Sequence, residues 1–203
     1  MVSSDASESP PIRRAEREAL NPHKGALVWF TGLSASGKTT LARAVDRRLL
    51  ELGVRSYRLD GDVVREGLNA DLGFSPADRE ENVRRITEVG RLMIDAGLVV
   101  VVAVIAPYAK DRAATRARFG PGEFFEVFVD TPLAVCEERD PKGMYKRARA
   151  GQLADFTGVS APYEIPDDPE LLADGTGELE VQRDRVIAML REQGVLHGVA
   201  EPG

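Results

Sequence analysis

Apolar and polar positions along the chain follow two alternating periods. Ala26 to Thr31 (ALVWFT) is apolar almost throughout and reads as a buried strand. From Lys38 to Leu52, residues Leu41, Ala44, Val45, Leu49 and Leu52 recur at helical spacing, and Gly53 ends the helix. Val54 to Leu59 reads as a second strand. Ser75-Pro76-Ala77-Asp78 reads as a helix start, with Ser75 as N-cap, Pro76 at the first position and Asp78 closing a capping box. Val83, Ile86, Val89, Met93 and Ile94 carry that helix to Gly97. Leu98 to Ile105 (LVVVVAVI) has no polar position, as in a strand covered on both faces. Phe124 to Val129 is a fourth strand, Leu171 to Ala173 a short fifth, and Val181 to Arg191 a closing helix. Strands alternating with helices predict a parallel five-stranded sheet with helices on both faces. No repeat or linker divides residues 21–203, which are expected to form one domain. Residues 1–20 are expected to be a flexible tail and helix: Ser/Pro/acid-rich and disordered to about residue 12, then charged and helical from Ile12 to Leu20.

The balance of charge narrows the choice of ligand. Lys and Arg number 27 against 33 Asp and Glu, a net charge of −6, so no generally basic face is available for nucleic acid. An anionic ligand must then be held by local clusters. Cys136 is the only cysteine, which excludes an intrachain disulfide and suits a reducing compartment. On a helix after a strand it reads as a small apolar filler. The N-terminus lacks a secretory signal and no apolar run reaches membrane-spanning length, so the expectation is a cytoplasmic protein without a membrane partner. His23 and His197 have no companion ligands and suggest no metal site.

Candidate chemistry starts at Gly32-x4-Gly37-Lys38-Thr39, which follows a strand and opens a helix. That is the context required of a phosphate-cradling loop. The expected fold is therefore of the P-loop NTPase type. Glycines let backbone N–H groups approach phosphates, and the helix N-terminus favours an anion. Lys38 would reach the β- and γ-phosphates and Thr39 would serve Mg²⁺. This loop alone does not separate a kinase from a GTPase, although the N-K-x-D signature of guanine recognition is absent.

The second half of the site is read from three segments. The second strand runs into LDGDVVREGLN, residues 59–69, where Asp60 and Asp62 flank a glycine. A carboxylate there is placed to help hold Mg²⁺, or to orient an acceptor hydroxyl and take its proton. Arg65 is placed to pin an anionic acceptor. Arg79 and Asn82, three apart, share a helix face bordered by Val83 and Ile86. ERDPKGMYKRARAG, residues 138–151, packs Arg139, Lys142, Lys146, Arg147 and Arg149 together and reads as a helical lid over about 138–158. Such a lid excludes water that would otherwise hydrolyse the γ-phosphate. Phe74 and Phe156 are placed to sandwich a flat base. Asp130, after the fourth strand, reads as structural.

Taken together, HKGALVWFTGLSASGKTT, LDGDVVREGLNADLGFSPADREENVRRITEVGRLMIDAGL, FFEVFVDTPLAVCEERDPKGMYKRARAG and DFTGVSAPYEIPDDPEL resemble the adenylyl-sulfate kinase family across most of 23–171. The resemblance implies transfer of the ATP γ-phosphate to the 3′-hydroxyl of adenosine 5′-phosphosulfate, in a Mg²⁺-dependent homodimer. By position, Gly32, Leu33, Ser34, Ala35, Ser36, Gly37, Lys38, Thr39 and Thr40 would hold ATP phosphates. Arg139 would lie on the ATP adenine, with Thr176 and Gly177 on its other side. Asp62 would serve magnesium and the acceptor hydroxyl. Arg65, Arg79 and Asn82 would grip the phosphosulfate and ribose, Lys142 would reach from the lid, and Phe74 and Phe156 would stack on the acceptor adenine. Ile105 and Ala106 would line the acceptor pocket.

Departures from the pattern bear on the acceptor. Ala35 replaces a glycine common in the loop, and fits if its φ is negative. Val63 replaces a common asparagine. In IAPYAKDR, Ala106 stands where the family usually has a serine, described there as phosphorylated, and Ala109 where a basic residue is usual. Ala106 has no oxygen, so a phosphoenzyme cannot form there and direct in-line transfer is expected. A lost hydroxyl contact corresponds to about 1 kcal/mol, or up to about tenfold in acceptor affinity. Two other readings remain: a small-molecule kinase with an acceptor altered around Ala106, and a regulator that binds ATP without turnover.

Overall fold

A computed structural model describes residues 11–200. Of the N-terminal stretch expected to be disordered, residues 1–10 lie outside the described residues. The expected charged helix is α1, Arg14–Glu18. It is tied to the body: Arg14 pairs with Glu18 and Glu123, and its Nη2 donates to Gly25 O at 2.8 Å.

The strands are β1 (Ala26–Thr31), β2 (Ser56–Asp60), β3 (Val99–Ala103), β4 (Phe124–Asp130) and β5 (Leu171–Asp174). They form one parallel sheet in the order β2-β3-β1-β4-β5. β1 is central and paired on both sides, which explains why it is apolar up to its last residue, Thr31. Its side chains alternate between two layers. Ala26, Val28 and Phe30 face α2 (Lys38–Glu51) and α8 (Leu179–Glu192), packing on Leu41, Val45, Leu49, Val186 and Leu190. Leu27 and Trp29 face α4 (Pro76–Asp95), beside Val83, Ile86 and Ile94. α5 (Ala109–Arg116) packs along α4.

Local signals set the helix ends. Ser75 accepts from the Asp78 N–H, the Asp78 carboxylate answers the Ser75 N–H, and Pro76 opens α4. After α2, Val54 N donates to Leu49 O at 2.9 Å and Gly53 N to Leu50 O at 3.0 Å, the double bond of a glycine-terminated helix. That closure explains why β2 starts at Ser56 rather than Val54. β3 is shorter than its apolar run for a different reason: residues 104–107 leave the sheet and turn toward the cleft described next.

Three further short helices are α3 (Gly61–Glu66), α6 (Leu133–Arg139) and α7 (Met144–Arg149). α6 and α7 carry a small apolar cluster in which Cys136, Tyr145, Ala148 and Phe156 pack with Leu33 and Ala35 of the loop after β1. Cys136 is fully buried there, as an apolar filler.

Candidate active site

The chain switches direction across the sheet at β1, with β3 on one side and β4 on the other, so a crevice opens past the carboxyl end of β1. A cleft of about 1040 Å³ lies there, large for a single small-molecule site.

The loop from Gly32 to Thr40 forms its floor. Gly32 has φ +146°, and a Cβ there would stand 2.6 Å from Val129 O and 2.9 Å from Ser36 Oγ, so only glycine fits. Gly37, at φ +101°, is the left-handed residue that starts α2. Ala35 has φ +58°, against the negative value expected from the sequence. The left-handed turn that glycine would take freely is taken here by alanine, at a cost of about 1–2 kcal/mol. Gly32, Leu33 and Ser36 turn away from the cleft surface, whereas Ser34, Ala35, Gly37, Lys38, Thr39 and Thr40 line it. Ser36 is buried, and its carbonyl accepts from Thr131 Oγ1 at 2.8 Å.

Lys38 is 7 % exposed. Its Nζ folds onto Leu33 O and lies 3.4 Å from Ser36 Oγ. Burial pushes its pKa down to about 8, against the opposing pull of the Asp60 and Asp62 carboxylates. The two carboxylates differ in role. Asp60 is buried at the end of β2, pairs with Arg58 at 2.8 Å and caps α3 by accepting from Asp62 N at 3.0 Å. Asp62 is exposed and projects into the cleft, where Lys142 of the α6–α7 segment pairs with it. Thr39 and Asp62 thus offer hard oxygen donors to one space, a donor set suited to Mg²⁺.

Residues from four further segments complete the wall. Arg65 donates from Nη1 to Leu72 O at 3.1 Å and Gly73 O at 3.0 Å, and its guanidinium sits 4.3 Å over the Phe74 ring. Arg79 donates to Phe74 O and Asp155 O, each at 2.9 Å, and to Thr157 Oγ1 at 3.3 Å. Asn82 Oδ1 accepts from the buried Asn69 at 2.9 Å. Phe156 is buried edge-on against Tyr145 at 5.1 Å, and the Tyr145 hydroxyl donates to Ser34 O at 3.0 Å. The lid is thereby bonded to the phosphate loop. Phe74 and Phe156 both line the cleft without stacking on each other. Ile105 and Ala106 line it as expected.

Arg139 reaches the cleft, but its Nη2 donates to Gly175 O at 2.9 Å rather than to the next residues. Gly177 lines the cleft and Thr176 does not: the Thr176 N–H and hydroxyl both bond Asp174 Oδ1, at 2.8 and 2.7 Å. Nothing in the sequence singles out Gly175. A Cβ on it would stand 1.8 Å from Thr131 Oγ1 and 2.6 Å from Ser36 O, so this turn presses on the back of the phosphate loop. Asp130 does not line the cleft. Tyr145, inside the lid segment 138–151, carries no signal in the sequence either, and only its hydrogen bond to Ser34 O reveals its part in the site. Among the described residues no cluster of His, Cys, Asp and Glu resembles a metal site, and no helix is long and apolar enough to cross a membrane.

The model of the adenylylsulphate kinase family matches residues 24–174. The adenylyl-sulfate kinase of Citrobacter koseri is 54% identical over 185 residues, covering 91% of this chain and 92% of its own. Among solved structures, the Mycobacterium tuberculosis APS kinase in complex with AMPPNP and APS superposes with a TM-score of 0.79 at 50% identity, covering 84% of this chain and 99% of that one. A hexameric APS kinase from Thiobacillus denitrificans has a TM-score of 0.65 at 34% identity, covering 89% of this chain and 30% of that one.

Proposed function

The chain belongs to the adenylylsulphate kinase family, which transfers the ATP γ-phosphate to adenosine 5′-phosphosulfate, and we propose that it does so by direct in-line attack of the acceptor 3′-hydroxyl. The observation that carries this reading is that Lys38, Thr39 and Asp62 line one cleft together with Arg65, Phe74 and Arg79. Gly32 to Thr40 would hold the ATP phosphates, with Lys38 on the β- and γ-phosphates. Arg139 and the turn at 175–177 would hold the adenine. Arg65, Arg79, Asn82 and Lys142 would hold the acceptor's anionic end and ribose, with its adenine between Phe74, Phe156 and the 105–107 wall.

In the transfer, the acceptor O3′ forms a bond to the γ-phosphorus as the bond to the β,γ-bridging oxygen breaks. The 3′-hydroxyl proton passes to the Asp62 carboxylate, and ADP leaves with the bridging oxygen. Lys38 stabilises charge on the transferring oxygens, and its buried position strengthens that interaction. Lys142 must give up Asp62 for the carboxylate to take its part. Mg²⁺, held by Thr39 and Asp62, would supply neutralisation of phosphate charge. No phosphoenzyme forms at position 106, because alanine has no oxygen to carry phosphate. The working unit proposed is a cytoplasmic homodimer.

The test is acceptor-dependent ADP release in a coupled assay, with and without adenosine 5′-phosphosulfate. ADP formation at equal rate without the acceptor would overturn the reading. A stable phosphorylated protein intermediate would overturn the direct route.

A further inference from the structure

Ile105, Ala106 and Pro107 line the cleft but belong to neither strand nor helix. Each carbonyl in turn accepts one hydrogen bond: Ile105 O from Thr31 Oγ1 at 2.6 Å, Ala106 O from Arg112 Nη1 at 2.8 Å, and Pro107 O from Glu164 N at 2.9 Å. Ala106 sits at φ +42°, a left-handed conformation that alanine adopts at a cost of about 1–2 kcal/mol. Something must enforce it.

Arg112, on α5, is placed to do so. It is 4 % exposed. Its Nε faces Glu126 Oε1 at 2.9 Å, and its Nη2 donates to Glu164 O at 2.6 Å. Its guanidinium also lies 5.7 Å from the ring of Tyr163, whose hydroxyl bonds Thr31 Oγ1 at 2.9 Å. Glu126, on β4, is buried as well, with Arg116 at 3.6 Å as a second cation. A buried ion pair is a weak source of net stability. A planar fork with fixed donor directions is a strong source of geometry. Neither Arg112 nor Glu126 lines the cleft, so neither touches a ligand bound there.

We propose that Arg112 and Glu126 are positioning residues of the acceptor site, whose buried fork holds Ala106 left-handed and so presents the 105–107 backbone to the acceptor. This rests on the assignment of that wall to adenosine 5′-phosphosulfate. The fork bonds Ala106 O directly and reaches the donor half only through Tyr163, whose hydroxyl bonds Thr31 beside the phosphate loop, so the two substrates should respond differently.

The test compares Arg112→Lys, which keeps the charge and loses the fork, and Glu126→Gln, which keeps the shape and loses the charge. For each, KM for the acceptor is expected to rise about tenfold while KM for ATP stays within about twofold. A merely structural role would lower melting temperature and active fraction without splitting the two KM values. An acceptor KM within about twofold of wild type, or both KM values rising together, overturns the proposal. If Arg112→Lys does not fold, the near-isosteric Glu126→Gln carries the same test. A wild-type protein without acceptor-dependent ADP release would instead sink the assignment of the wall, and the proposal with it. An active wild type with unsplit variants sinks the positioning role alone.

Discussion

The floor and the wall of the cleft are built by different means. The floor is one continuous stretch held through its backbone atoms: Ser36 N donates to Leu33 O and Leu41 N to Gly37 O, and the carbonyls of Leu33, Ser34 and Ser36 accept from Lys38, Tyr145 and Thr131. The wall is assembled from separate segments, and several of its polar side chains are tied to one another across those segments. Asp62 meets Lys142, Arg79 meets Asp155 and Thr157, and Asn82 meets Asn69. Backbone fixes the floor, so it leaves little to vary beyond one lysine and a few conformationally demanding positions. Side chains fix the wall, so its geometry depends on pairs that a ligand must break or replace. Donor binding should therefore be robust and acceptor binding adjustable.

Removing the one indispensable side chain of the floor should have the largest effect. Lys38→Ala is expected to lower kcat by about 10³-fold or more, since a buried cation on the transferring phosphoryl group has no substitute. Asp62→Asn comes next, at about 10²- to 10³-fold in kcat with ATP affinity nearly kept, because the amide cannot take the hydroxyl proton. Steady-state kinetics of both variants check these values. If Asp62→Asn weakened ATP binding as strongly as it slowed turnover, the division between donor floor and acceptor wall would be wrong.

The same lysine gives an effect of opposite sign on stability. Its pKa falls from the ordinary 10.5 to about 8 because burial penalises the ammonium. Below about pH 8 both folded and unfolded chains hold the proton, and the fold bears the full penalty. Between about 8 and 10.5 the unfolded chain binds more protons, so stability rises with pH. Lys38→Met, which removes the charge, is expected to stabilise the ligand-free protein by up to about 3 kcal/mol near neutral pH. Urea denaturation of both proteins near pH 7 and near pH 10 reads this out, the gap closing at the higher pH. An equal gap at both would show that the lysine is not strained by burial.

What the sequence makes legible follows the same division. The floor was readable because a motif of fixed spacing lies between a strand and a helix. The strands were readable because β1 and β3 are buried on both faces and are apolar except for Thr31 at the end of β1. Residue type and spacing marked Asp62, Arg65, Arg79, Asn82, Phe74 and Phe156 as candidates, the resemblance supplied their roles, and their placement in the cleft needed the fold. Arg112 shows why. In IAPYAKDR it reads as one more charge, and only the fold, by bringing Glu126 and the Ala106 carbonyl to it, makes it a buried fork. Gly175 shows the same for a small residue, since nothing in DGTG says that a Cβ would collide with the back of the phosphate loop. The sign of φ at Ala35 was out of reach for a related reason. An alanine was expected at negative φ, where its Cβ is unstrained, and the loop takes a left-handed turn there instead.

The two aromatic residues sharpen the comparison within the wall. Phe74 is 56 % exposed with one face under Arg65, whereas Phe156 is 8 % exposed and packs edge-on to Tyr145. Phe74→Ala should raise the acceptor KM by about tenfold through lost stacking and leave the melting temperature unchanged. Phe156→Ala should lower stability by about 2–4 kcal/mol, because it opens a cavity in the lid cluster. Thermal unfolding and acceptor titrations on the pair separate ligand contact from packing, and equal loss of stability in both would erase the distinction.

The smallest expected effect tests whether the backbone truly governs the floor. Replacing alanine by glycine inside a helix costs about 0.5–1 kcal/mol, because glycine loses more freedom on folding. Ala42, buried in α2, should obey that rule and lose further stability with its methyl group. Ala35 should not. At φ +58° its Cβ already costs about 1–2 kcal/mol, so Ala35→Gly removes a strain of similar size to the entropy it adds. The net expectation is a change between zero and about 1 kcal/mol of stabilisation, with ATP affinity unchanged or slightly improved. Denaturant unfolding of both glycine variants, run side by side, is the measurement. A loss at position 35 as large as that at 42 would mean the loop is not held in the left-handed turn, and the floor would then be no more rigid than the wall.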